Sequence, residues 1–183
     1  MASSTTGFTR RVSTRRCKEV VVRLDDDMRR VVREQRLGFV ATVCPDGTPN
    51  LSPKGTTTVW DDEHLVFLHV HSPNTVANLA ANPSIEVNVV DPILRKGYRF
   101  KGTAEVLTSG DVHDGVLDYF RRERGTNSER VRAVVLMHVD AAAPVVSPAY
   151  DSGASEDEVA QRWRDHHLGL AGGSHFAAEG GSP

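Results

Sequence analysis

Ser52-Pro53-Lys54-Gly55-Thr56 places one ammonium group and two hydroxyls within five residues, where Pro53 and Gly55 interrupt ordinary strand pairing. Such a stretch lets backbone and cation approach an anionic ligand together. Its plain alternative is an edge-strand irregularity with a solvated Lys54. Further along, Ser72-Pro73-Asn74-Thr75 reads as a helix start, whose free amides and dipole suit a phosphate; Ser72 could equally serve only as the N-cap. Arg95-Lys96-Gly97-Tyr98-Arg99-Phe100-Lys101 carries four cations in seven residues, with Arg99 and Lys101 on one strand face. A solvated positive strip and a local nucleic-acid contact are the other readings of that run. His69 and His71 are two apart on a predicted strand, so both rings share a face. A metal pair and a plain polar face both fit, and no third ligand at suitable spacing accompanies them. No Gly-rich phosphate loop of the dinucleotide or P-loop kind is present. Ser52 lacks the Gly-x-Ser-x-Gly surround of a nucleophile elbow.

These groups must be positioned by strands joined through short turns. Asp25-Asp26-Asp27 ahead of Met28, Val31 and Val32 predicts an amphipathic helix over 25–36, stopped by Gly38. Strands are expected over 39–44, 49–60, 65–70, 85–89, 98–107 and 133–139, the first two joined by a tight turn at Asp46-Gly47. In the fifth, Tyr98, Phe100, Gly102, Ala104 and Val106 share one face, and Arg99, Lys101, Thr103 and Glu105 the other. Helices are expected from Ser72-Pro73 to Asn82-Pro83, over 111–123 with Val116 and Phe120 inward, and over 155–167. Six strands with interspersed short helices predict a mainly β (α+β) fold, an antiparallel split barrel rather than a parallel doubly wound sheet.

The 183 residues suffice for one core. Twenty-four acids against 22 bases leave a net charge of -2, which argues against a dedicated nucleic-acid binder. No apolar run approaches a membrane span. Cys17 and Cys44 alone exclude a disulfide scaffold and a four-thiolate zinc site, and suit a reducing cytoplasm. Residues 1–18, rich in Ser, Thr and Arg, are expected to form a disordered basic arm. Residues 169–183 are expected to form a flexible Gly-rich tail, leaving 19–168 as the folded domain.

The order of motifs, Leu37-Gly38-Phe39-Val40-Ala41-Thr42-Val43, Asp46-Gly47-Thr48-Pro49-Asn50, Ser52-Pro53-Lys54-Gly55, Thr75 to Asn78-Leu79, Asn82-Pro83 and Arg99-Phe100-Lys101-Gly102-Thr103-Ala104, resembles the pyridoxamine 5'-phosphate oxidase-like family of flavin-binding split barrels. The resemblance spans about residues 25 to 140. It implies a homodimer with two FMN sites between subunits and a small-molecule substrate; charge balance and the short apolar runs leave neither membrane nor nucleic acid as an expected partner. Carried over by position, Asn50, Ser52, Pro53, Lys54, Gly55 and Thr56 line the flavin and offer a cation to its phosphate. His69, Val70, His71, Ser72 and Thr75 hold the other side, with Asn78 on the same helix, and Arg99 and Lys101 add polar contacts. Where vitamin-B6 oxidases of the family show Arg-x-Val-Leu-Leu-Lys and Ser-Arg-Lys, this chain reads Asn50-Leu51-Ser52-Pro53-Lys54 and Ser72-Pro73-Asn74. Trp163-Arg164-Asp165 lacks the rest of the vitamer-gripping pattern. The resemblance therefore implies an FMN-dependent oxidoreductase of the broader group, catalytic residues undefined. The same barrel also accommodates a deazaflavin-dependent reductase, or a non-catalytic haem binder in which His138, His166, His167 or His175 supplies an axial nitrogen.

Overall fold

The computed structural model describes residues 23–172. The expected arm over 1–18, residues 173–183, Cys17 and His175 lie outside the described residues. Asp25 caps the first helix, α1 (Asp26–Gln35), accepting the Met28 amide at 2.8 Å. Asp26 and Asp27 occupy its first turn, as the acidic run predicts. The helix ends at Arg36 in the left-handed region (φ 58°), two residues before Gly38, which instead opens β1 (Gly38–Val43). Asp46-Gly47 forms the expected turn: Gly47 has φ 83°, and the Asp46 carboxylate accepts from both the amide and the hydroxyl of Thr48.

The expected strand over 49–60 is two strands, β2 (Pro49–Lys54) and β3 (Thr58–Val59), separated by Gly55-Thr56-Thr57. Seven strands result instead of six. They continue as β4 (His64–His69), β5 (Ser84–Asp91), β6 (Lys96–Leu107) and β7 (Ala133–Val146), in the antiparallel order β2-β1-β5-β6-β7-β4-β3. The two edge strands are consecutive in the chain and linked by three residues. A trans chain reaches roughly 14 Å over that span, so a seven-stranded sheet must curl until its edges approach. Pro53 does not interrupt pairing as expected, since it stays within β2 opposite Phe39; the break begins at Gly55, where the barrel is split.

Inward positions alternate with outward ones along each strand. Val40, Leu65, Phe67, Val87, Val89, Phe100, Val135, Met137 and Val139 fill the interior, joined by Val31 and Val32 of α1 and by Leu79 of α2 (Pro73–Ala81). Val66, Leu68 and Val134 point outward under Val116 and Phe120 of α3 (Asp111–Arg124). β7 runs seven residues beyond the expected 139, through Ala141-Ala142-Ala143, because pairing with the long β6 overrides weak strand propensity. A bulge at Lys101/Gly102 makes this possible. A Cβ on Gly102 would lie 1.8 Å from the His138 carbonyl oxygen, so only glycine permits the approach. The last helix, α4 (Glu156–Gly172), extends past residue 168, where the tail is expected to begin. Among the described residues no helix is long and apolar enough to cross a membrane.

Candidate functional site

Asn50, Ser52 and Lys54 alternate with Leu51 and Pro53 on β2, and their register with β1 (Asn50 opposite Thr42, Ser52 opposite Val40, Lys54 opposite Gly38) turns them to the inner face. Lys54 is 6% exposed. Its ammonium bonds the Ser52 hydroxyl and lies 5.9 Å from the centre of the Phe67 ring. Among the described residues no carboxylate pairs with it. Burial alone pushes its pKa below the ordinary lysine value. A buried cation without a counter-ion is costly, and an incoming anion would relieve that cost.

The linker beside Lys54 completes one wall. Thr57, fully buried, donates its hydroxyl to the Lys54 carbonyl at 2.9 Å, and Gly38 leaves just enough room for the Thr57 side chain. The Thr56 hydroxyl accepts from the Leu68 amide at 2.9 Å and so ties the linker to β4. Pro53, Lys54, Gly55, Thr56, Val70, His71 and Ser72 surround a pocket of about 190 Å³, and no atom would meet a Cβ on Gly55 within 4 Å. Two stretches singled out from the sequence therefore share one hollow.

β4 ends at His69, so His69 and His71 do not share a strand face as expected: His69 is buried and His71 is exposed at the pocket. Ser72 precedes Pro73 as the N-cap residue, but its hydroxyl does not cap α2 and instead lies 3.1 Å from His69 Nδ1. The Ser72 amide donates to the same nitrogen at 3.3 Å, which places the proton of the neutral ring on Nε2. Burial first, then the charges of Arg132, Lys54 and His71, hold the His69 pKa below its ordinary 6.5. The neutral form is favoured on folding, so the unfolded chain binds more protons below pH 6.5 and stability falls as the pH drops through that value. Replacing His69 with Asn should flatten the decline of melting temperature between pH 7 and pH 5 measured by calorimetry. An unchanged slope would assign the acid sensitivity elsewhere.

Thr75 is buried on α2, and Asn78 donates to the Thr42 hydroxyl at 3.0 Å. Asn50 donates to the same oxygen at 3.1 Å. Both amides are thus engaged with Thr42, joining α2, β1 and β2 and fixing the direction of the strand that carries Lys54. Arg99 and Lys101 face the other way. Opposite the inward Phe100, they lie on the outer surface and pair with Glu86 at 2.8 and 3.5 Å. Within one chain they do not join Lys54. Lys101 and Glu86 instead line a separate outer groove of about 490 Å³, together with Ala41, Val43, Thr103 and Asp140.

Sequence reasoning missed Arg132 and Thr42. The Arg132 amide donates to the His69 carbonyl at 2.9 Å and its charge acts on that ring; the available signal was a cation immediately before the last strand. Thr42 reads as an ordinary strand residue until pairing places it between two asparagines.

The sequence pattern of the pyridoxamine 5'-phosphate oxidase family matches residues 24–143, about two-thirds of the chain. The chain is 29% identical over 93 residues to an uncharacterized protein of Methanocaldococcus jannaschii, a match covering 50% of this chain and 61% of that protein's length. Among solved structures, Group A Streptococcus HupZ is 31% identical, with a TM-score of 0.58 over 64% of this chain and 90% of HupZ. An FMN-binding protein from Syntrophomonas wolfei shares the fold at 14% identity, with a TM-score of 0.58 over 68% of this chain and 87% of its own. The curled antiparallel sheet, the split beside Lys54 and the matched span agree: this chain belongs to the pyridoxamine 5'-phosphate oxidase family.

Proposed function

We propose that the protein is an FMN-dependent oxidoreductase acting on a small molecule, distinct from the vitamin-B6 oxidases of its family. The observation that carries this reading is Lys54, which lines the hollow bounded by Gly55, Thr56 and Ser72 and carries a buried ammonium with no acidic partner among the described residues. That donor set fits a phosphate monoester, which carries close to two negative charges and favours charge-assisted bonds. Lys54, with the Ser52 and Thr56 hydroxyls, would hold the head group. When bound, the flavin itself supplies the electron transfer, and the protein's part is to bind, orient and exclude water.

The pocket's 190 Å³ falls short of the roughly 300 Å³ at which sites for whole cofactor-sized ligands begin. It suits a head group, and the ring must be covered by something further. A second copy of the chain is the reading we favour. Phe39, Val43 and Leu51 are exposed on the outer faces of β1 and β2, an apolar surface of the kind that associates. The outward Arg99 and Lys101 would then be available to the opposite copy's site.

The test is to identify the small molecule released by denaturing untagged protein, then follow anaerobic reduction of the loaded protein by a nicotinamide donor. FMN near one per chain, bleached by the donor and restored by an acceptor, is the expected result. A colourless protein without flavin affinity, or one that retains a deazaflavin or haem instead, would overturn the assignment.

A further inference from the structure

His64 and His138 are directly opposite each other on β4 and β7. The neighbouring pair is the hydrogen-bonded one, since the Val139 amide donates to the Glu63 carbonyl at 2.9 Å. The histidines therefore form a non-hydrogen-bonded pair, the type in which side chains stand closest. They continue the outward row Leu68/Val134 and Val66/Leu136 but lie beyond the cluster covered by α3, and both stay solvent-accessible. Each ring is oriented by an acid. His64 Nδ1 lies 2.8 and 2.9 Å from the two Asp61 oxygens, and His138 Nδ1 lies 2.8 Å from Asp140 Oδ1. Asp140 is the extra residue of the Gly102 bulge, which brings its carboxylate to His138.

A carboxylate only accepts, so in each neutral ring Nδ1 carries the proton and Nε2 presents a lone pair. Carboxylate–histidine pairs of this kind fix the tautomer and raise the basicity of the metal-binding nitrogen. The ring centres are 5.2 Å apart. Two imidazoles bound through nitrogen at about 2.0–2.1 Å around one tetrahedral ion have centres about 5 Å apart. We propose that His64 and His138 chelate one divalent transition-metal ion through their Nε2 atoms, with Asp61 and Asp140 as orienting partners. Imidazole donors select zinc, nickel or copper over magnesium or calcium. Among the described residues no group of three or more metal-binding side chains is gathered, so this site supplies two protein ligands and leaves its other positions to water. It is separate from the Lys54 pocket and does not depend on the flavin assignment.

Isothermal titration of Zn²⁺ and Ni²⁺ into the untagged full chain tests this. The expected result is one ion per chain, lost or weakened at least tenfold in the His64→Ala/His138→Ala variant. The Asp61→Asn/Asp140→Asn variant should weaken it by about tenfold, and nitrogen-15 spectra should report coordination at Nε2. A His166→Ala/His167→Ala variant, which removes the other adjacent histidines, should bind as the wild type does. Absence of binding, binding unaffected by loss of the cross-strand pair, or binding lost with His166 and His167 would each overturn the proposal.

Discussion

Replacing Lys54 with Met should abolish FMN retention while leaving the ligand-free protein at least as stable as the wild type. The side chain is buried, and its depressed pKa arises from burial alone. The linkage sign follows: the unfolded lysine holds its proton more tightly, so the charge costs stability at every pH below about 10.5. Substituting a buried ion by an apolar side chain of similar size is commonly neutral or stabilising by about 1–4 kcal/mol. Against that stand one hydrogen bond to Ser52 and a distant contact with the Phe67 ring, so a gain of about 1 kcal/mol is expected. Urea unfolding of the free protein checks the first half and flavin titration the second. Marked destabilisation by the substitution would mean that Lys54 is structural rather than a group held in reserve for an anion.

Gly102→Ala, alongside Gly97→Ala, is expected to be among the most damaging small substitutions in the barrel. The added carbon would sit 1.8 Å from the His138 carbonyl oxygen and 2.9 Å from its carbon, both backbone atoms of the paired strand. Neither can move without opening the β6/β7 ladder, the longest pairing in the sheet. A cost of about 3 kcal/mol or more is expected, a large share of the roughly 5–15 kcal/mol that stabilises a domain. Gly55→Ala is the matched control, because its added carbon meets nothing within 4 Å, and folding stability should scarcely change. Denaturation midpoints that fall equally for the two variants would contradict the close-packing account of the bulge.

The pattern of the sequence carried most of the architecture because alternation and turn chemistry are local. Tyr98 to Val106 divide between faces as their spacing indicates, with Phe100 and Ala104 buried and Arg99 and Lys101 outside. The Asp-Gly turn and the acidic helix start also follow from adjacent residues alone. What was not legible depends on contacts distant in sequence. The extension of β7 through three alanines requires β6 beside it, and the bulge at Gly102 appears only once both strands pair. Ser72 reads as a cap, yet a buried imidazole three residues earlier claims its hydroxyl. In the candidate site, Lys54 and the Ser72 region were identifiable by residue type and do meet. Arg99 and Lys101 could be placed on one strand face from sequence, but which side of the curled sheet that face occupies depends on closure of the barrel.

An anionic head group held at Lys54 must make the protein distinguish FMN from riboflavin, which differ only in the phosphate. A charge-assisted bond contributes about 1.5–3 kcal/mol, so loss of the phosphate grip should weaken binding by about 10- to 150-fold, read from quenching of flavin fluorescence. In the Lys54→Met variant the two ligands should bind with similar, weak affinity. Equal affinity for FMN and riboflavin in the wild type, or an undiminished preference for FMN without Lys54, would contradict the account.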